Sequence, residues 1–193
     1  MSSNIEIEAK VLLTENQYET IIEKLNLIKF RKIKQTNYYI DTPDRFLKKN
    51  GIALRIREKG EEFELSLKTP LSEGLLEKNE KISWRDFEHL NQKHIFPEGN
   101  ISKFLSILGV NVDDLRILTS LCTERISIDY DTYGLALDKN TFSDITDYEL
   151  EIESSSMDHA QEAVKNILES CNITSFEFNN VSKQARALNA LKK

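Results

Sequence analysis

The stretch Ile5-Glu6-Ile7-Glu8-Ala9-Lys10-Val11-Leu12 decides the reading of this chain. Apolar and charged residues alternate with a period of two, which places Ile5, Ile7, Ala9 and Val11 on one face of a β-strand and Glu6, Glu8 and Lys10 on the other. Two carboxylates about 7 Å apart on one strand face can share a divalent cation. A half-exposed edge strand gives the same pattern, so the stretch acquires meaning only from later strands that repeat it.

Several do. In Ile52-Ala53-Leu54-Arg55-Ile56-Arg57-Glu58-Lys59 the apolar side is Ile52, Leu54 and Ile56, and the opposite side carries Arg55, Arg57 and Lys59. Lys59-Gly60-Glu61 predicts a tight turn, and Glu62 to Thr69 returns with Phe63, Leu65 and Leu67 opposite Glu64, Ser66 and Lys68. Near the C-terminal end, Tyr148-Glu149-Leu150-Glu151-Ile152-Glu153 mirrors the opening strand. Further strands are expected at 34–41, 75–83, 122–130 and 135–138, giving about eight.

Helices are expected between them. Thr14-Glu15-Asn16-Gln17 has the form of a capping box before Tyr18, Ile21, Ile22 and Leu25. A short helix over 44–50 is closed by Gly51, helical patterning fills much of 84–115, a helix over about 157–171 follows Ser154-Ser155-Ser156, and another spans 182–191.

The chain has 193 residues, 39% of them hydrophobic and 30% charged, which suits a single domain, 1–193, with a real core. A net charge of -6 and a pI near 5.3 argue against nucleic acid or an anionic membrane as the main partner. Cys122 and Cys171 have no zinc-site spacing and are expected to be reduced in a cytoplasmic protein. His89, His94 and His159 read as surface residues without metal-site spacing. With no apolar run of about 18 residues and no signal-peptide pattern, neither export nor membrane insertion is expected.

The charges are sorted by strand: acidic on the first and last, basic on the middle hairpin. A solvated open sheet tolerates this but does not explain it. A closed eight-stranded antiparallel barrel with charged faces inward and flanking helices outside, α+β in class, would explain it. Dense carboxylates select a hard divalent cation, Mg²⁺ or Mn²⁺, and guanidinium and ammonium groups select an anion with many oxygens. A polyphosphate bridged by metal satisfies both.

Glu6-Ile7-Glu8-Ala9-Lys10 resembles the Glu-x-Glu-x-Lys hallmark of the CYTH superfamily, the triphosphate tunnel metalloenzymes. Tyr39-Ile40-Asp41-Thr42, Leu54-Arg55-Ile56-Arg57, Leu65-Ser66-Leu67-Lys68, Arg125, Leu137-Asp138, Glu149-Leu150-Glu151 and Lys183 follow in family order over nearly the whole chain. Gly74-Leu75-Leu76-Glu77 and Asp147-Tyr148-Glu149 are most similar to the short bacterial single-domain branch, described as adenylate cyclase-like or thiamine triphosphatase-like.

The resemblance implies a tunnel barrel that hydrolyses a triphosphate with one or two metal ions. It implies Glu6, Glu8, Glu77, Asp138, Glu149 and Glu151 as metal ligands, and Lys10, Arg55, Arg57, Lys68, Arg125 and Lys183 as substrate-binding residues. Glu6, Glu8, Lys10 and Arg57 are the expected catalytic set. The acidic residue of the fifth strand is Glu77 or Glu80, with Glu77 preferred, and the pair on the last strand lies among Glu149, Glu151 and Glu153.

The substrate implied is inorganic tripolyphosphate, thiamine triphosphate or a nucleoside triphosphate, hydrolysed by a monomer or homodimer. Two other readings stay open: a cyclase forming cyclic AMP from ATP, and a non-catalytic module that binds polyphosphate or nucleotide. Tyr38, Tyr39, Phe46 and the lone Trp84 are expected to pack rather than to hold a base.

Overall fold

The opening strand is broken once. In the computed structural model, which describes residues 2–72 and 74–191, Ile7 separates β1 (Ser2–Glu6) from β2 (Glu8–Leu13), and the two strands pair with different partners. That break makes the strand count nine among the described residues, where eight were expected. The others are β3 (Ile33–Asp41), β4 (Ala53–Lys59), β5 (Glu62–Pro70), β6 (Leu75–Ile82), β7 (Arg116–Asp129), β8 (Tyr133–Phe142) and β9 (Ile145–Ser154). The helices are α1 (Glu15–Lys24), α2 (Phe46–Lys49), α3 (Trp84–Lys93), α4 (Asn100–Ile107), α5 (Met157–Ser170) and α6 (Lys183–Ala190). The class is α+β with antiparallel strand pairs, as expected.

The chain divides into two compact units: 1–5, 35–121 and 183–193 form the first, and 6–34 with 122–182 form the second. Hydrogen-bonded neighbours run β1-β6-β5-β4-β3-β7 and then β7-β8-β9-β2. This order begins and ends on strands that are consecutive in the chain, which is the connectivity of a barrel.

In the first unit the turn at Gly60, φ 63°, closes the β4–β5 hairpin in register Arg57↔Glu64 and Arg55↔Ser66. Such a φ suits a residue without Cβ. The apolar side of the sheet, with Leu54, Ile56, Leu65 and Leu67 fully or almost fully buried, packs with Leu90 of α3 and Ile101 and Leu105 of α4. Gly51, φ 69°, ends α2, and Ile52 N–H reaches back to Leu47 O at 2.9 Å.

In the second unit Thr14 caps α1, accepting from Gln17 N at 3.2 Å while the Gln17 side chain accepts from Thr14 N at 2.9 Å, the expected reciprocal box. Ala9 and Val11 join a core with Leu137, Leu150 and Ile152 and with the α5 residues Ala163, Val164 and Leu168. Ile5, assigned to the same apolar face from sequence, is instead 63% exposed, because it precedes the break at Ile7.

Three further expectations are corrected. β7 starts at Arg116, six residues before the strand expected at Cys122, since Ile117 and Leu118 are adjacent and hide the alternation. Trp84, expected to pack, opens α3 and is 58% exposed. Of the histidines expected at the surface, only His94 is exposed; His89 is half-buried, and so is His159, whose Nδ1 lies 2.6 Å from Ser154 Oγ.

Candidate active-site residues

Directly opposed residues on antiparallel strands line up in rows, their Cβ atoms about 5 Å apart. On the polar face of the first unit these rows are Lys68–Glu77, Tyr39–Arg55–Ser66–Asn79 and Asn37–Arg57–Glu64–Lys81. The expected phosphate-binding cations Arg55, Arg57 and Lys68 therefore share one face. It is not a solvated face, because the side chains of Arg55, Lys68 and Glu77 are only 14 to 15% exposed. Arg55 Nη2 donates to Glu77 Oε1 at 3.3 Å, Lys68 Nζ lies 3.9 Å from the same oxygen, and Arg57 Nε donates to Asn37 Oδ1 at 3.2 Å.

Glu77 and Glu80 separate cleanly. Glu80 lies opposite Leu65, on the core side, where its carboxylate accepts from Asn100 N and Ile101 N at 3.2 Å each, at the start of α4. Glu80 caps a helix, and Glu77 is the carboxylate among the cations, as preferred from sequence. Asp41 is also structural: it is fully buried and accepts from Thr42 N, Leu47 N and Lys48 N around α2. Beside α2, Arg45 Nη1 donates to Leu188 O at 3.4 Å and Lys48 Nζ to Asn189 Oδ1 at 2.8 Å, which anchors α6 within this unit. Burial pushes the Tyr39 phenol above its ordinary value, while Arg55, Lys183, Arg57 and Arg186 pull it down. Lys183 thus belongs to the electrostatic neighbourhood of the β4 arginines.

In the second unit the rows are Thr123–Asn140–Asp147, Arg125–Asp138–Glu149 and Ser127–Ala136–Glu151–Lys10. Arg125 forks onto Asp138, Nε to Oδ1 at 2.7 Å and Nη2 to Oδ2 at 2.6 Å, and Nη2 also reaches Glu151. Lys10 Nζ donates to Glu8 and stands 3.9 Å from Glu151 Oε1. Asp138 and Glu149 are fully buried and Glu151 is nearly so, whereas Glu153 is exposed. Burial works against the Arg125 charge, but Asp138, Glu151 and Glu8 outweigh it and hold the guanidinium well above its ordinary pKa. Glu6 ends β1 and is half-buried.

Among the described residues no three carboxylate, histidine or cysteine side chains converge as a ready ion site. The donor set is nonetheless the one hard cations take, carboxylate oxygen throughout. Glu77 is paired with Arg55 and Lys68, and Asp138 with Arg125.

Sequence reading missed the neutral members of these rows. Asn37 and Thr123 are buried, and Thr123 Oγ1 donates to Asn140 Oδ1 at 2.8 Å while Asn140 Nδ2 donates to Asp147 Oδ1 at 2.9 Å. The available signal was small polar residues at positions that alternate in step with the charged ones.

A CYTH domain model matches residues 4–185. The chain is 32% identical over 180 residues to the candidate triphosphatase YjbK of Bacillus subtilis (strain 168), covering 93% of each. It superposes with a TM-score of 0.85 on a candidate adenylate cyclase from Bacillus halodurans, 34% identical, over 93% of this chain and 96% of that one. The Hippeastrum protein HpAC1, described as a candidate adenylyl cyclase that reveals a dominant triphosphatase activity, shares the fold at a TM-score of 0.79 and 23% identity, over 96% of each chain. No helix among the described residues is long and apolar enough to cross a membrane.

Proposed function

Because the chain belongs to the CYTH domain family, we propose that it is a metal-dependent triphosphatase, releasing the terminal phosphate of a small-molecule triphosphate. The observation that carries this reading is the largely buried cationic face of β4 and β5. Its three rows hold Arg55, Arg57 and Lys68 against Glu64 and Glu77, with the exposed Lys81 at the end of the third. A sheet face with that excess of cations, turned away from bulk water, is suited to an anion with many oxygens.

In this reading Arg55, Arg57 and Lys68 take the phosphate oxygens, with Lys183 adding charge from α6. Glu77 holds Arg55 in place, and Asp138 does the same for Arg125, whose guanidinium, with Lys10, completes the substrate-binding set. Glu6, Glu8, Glu149 and Glu151 would hold the divalent cation, Mg²⁺ or Mn²⁺. When bound, such an ion neutralises phosphate charge and makes a coordinated water more acidic. A glutamate of this set orients the attacking water and accepts its proton as the terminal phosphoanhydride bond breaks, and no serine or cysteine nucleophile takes part. Cys122 and Cys171 are free thiols, which fits a reducing compartment.

The test is phosphate release from tripolyphosphate, thiamine triphosphate, ATP and GTP, each with Mg²⁺, Mn²⁺ or a chelator. Metal-dependent release from at least one supports the proposal. Cyclic AMP formed from ATP would point to a cyclase instead, and tight binding with no phosphate released over hours would point to a binding module.

A further inference from the structure

The row across β4, β5 and β6 in the first unit contains three buried polar atoms that find no hydrogen-bond partner in the protein: Arg55 Nε, Ser66 Oγ and Asn79 Oδ1. Buried polar groups are nearly always paired, and each orphan costs free energy. Ser66 is 1% exposed, so bulk water does not satisfy it. Three orphans side by side in one register row mark one polar site. Their neighbours are charged: Arg55 Nη2 is engaged by Glu77 at 3.3 Å, and the next row holds Arg57, donating to Asn37 at 3.2 Å.

The row offers a guanidinium N–H, a hydroxyl that both donates and accepts, and an amide oxygen that only accepts. A fully ionised oxyanion meets the first two but, in this orientation of the Asn79 amide, sets a lone pair against Oδ1. The matching ligand presents acceptor oxygens beside an O–H. Orthophosphate near neutral pH retains at least one O–H, whereas the internal phosphoryl groups of a triphosphate carry none and sulfate carries none.

We propose that Arg55, Ser66 and Asn79 form a subsite for protonated orthophosphate, with Asn79 as the residue that reads the O–H. The inference rests on the triphosphatase reading only in identifying orthophosphate as the product; binding itself requires no turnover. The subsite makes the protein subject to product inhibition by phosphate more than by sulfate.

Calorimetric titration of the full chain with inorganic phosphate and with sulfate at neutral pH tests this. The expected result is phosphate binding about tenfold tighter than sulfate, the scale of one hydrogen bond made against one acceptor left facing a lone pair. Asn79→Leu should bring the two anions within about twofold, Asn79→Asp should keep the preference because it keeps the acceptor, and Ser66→Ala should weaken both anions without changing their ratio. Thermal unfolding of each variant checks the fold. Equal binding of the two anions by the unaltered protein, or a preference that survives in Asn79→Leu, overturns the subsite. Because the readout is binding, a protein that discriminates the anions yet hydrolyses no triphosphate would refute the activity alone, and one that hydrolyses triphosphate without discriminating would refute the subsite alone.

Discussion

Arg125 and Asp138 stand directly opposite each other on β7 and β8 and are joined by two parallel N–H···O bonds of 2.7 and 2.6 Å, with Asp138 fully buried. A bidentate pair fixes the plane of the guanidinium as well as its position. Removing the cation leaves buried carboxylate without its counter-charge, which costs about 3–5 kcal/mol. Arg125→Ala should therefore lower the unfolding free energy by roughly that amount in urea titrations. Arg125→Lys should recover part of the stability but little activity, since an ammonium cannot fork. A loss below about 1 kcal/mol in Arg125→Ala would show that the pair is weakly coupled to the fold.

Glu77 and Glu80 make a matched control. Glu80→Ala removes the acceptor for Asn100 N and Ile101 N and should cost about 1 kcal/mol, as N-cap losses do, with turnover unchanged. Glu77→Gln should barely alter stability but reduce turnover, because Arg55 loses the carboxylate that positions it. Gly99→Ala should resemble Glu80→Ala, since a Cβ there would lie 2.5–2.7 Å from the Glu80 carboxylate and push it off its donors. Denaturation midpoints measured beside phosphate-release rates separate the two carboxylates. Equal loss of turnover in Glu77→Gln and Glu80→Ala would remove the distinction.

This pair also marks what the sequence made legible. Period-two alternation located the Glu8 to Leu12 segment, the β4–β5 hairpin and β9, because a strand with one apolar face writes itself as alternating letters. It left both Glu77 and Glu80 as candidates, since only the position of α4 tells which carboxylate caps a helix. Ile117 and Leu118 obscured the first half of β7, which no alternation marks. The Arg55–Ser66–Asn79 row was not legible, because rows exist only once register is known, and Ser66 and Asn79 look like ordinary polar filler. Trp84 ran against the usual preference of large aromatics for burial.

The two charged faces should fail differently. If Arg57 takes substrate oxygens as proposed, Arg57→Ala should raise KM for triphosphate at least tenfold, a loss of about 1.4 kcal/mol or more in binding. On the proposed metal-ligand roles, Glu8→Gln and Glu6→Gln should instead abolish metal-dependent turnover while leaving the melting temperature nearly unchanged, because an amide keeps the shape and removes only the charge that a divalent cation would need. Steady-state kinetics across metal concentrations distinguish these patterns. An unchanged KM in Arg57→Ala would place Arg57 outside the substrate's reach.

Alkaline stability tests the second unit by itself. Tyr148 Oη donates to Glu15 Oε1 at 2.6 Å, and that bond, with burial and the Glu15 charge, pushes the phenol up to about 12 from 10.0. Tyr18, packed on Tyr148 with ring centroids 4.8 Å apart, is pushed to about 12 chiefly by burial. Since the folded pKa lies above the unfolded one, the folded state binds more protons between them. The associated stability is complete below about pH 10 and is lost as pH rises toward about 12. Urea midpoints should fall over that window, and the fall should be shallower in Tyr148→Phe, which has no phenol proton to keep. Tyrosinate absorbance of the folded protein should show a late-titrating component that Tyr148→Phe reduces. If the variant lost stability as steeply as the parent across the same window, the hydrogen bond to Glu15 would not be the group that links this unit to pH.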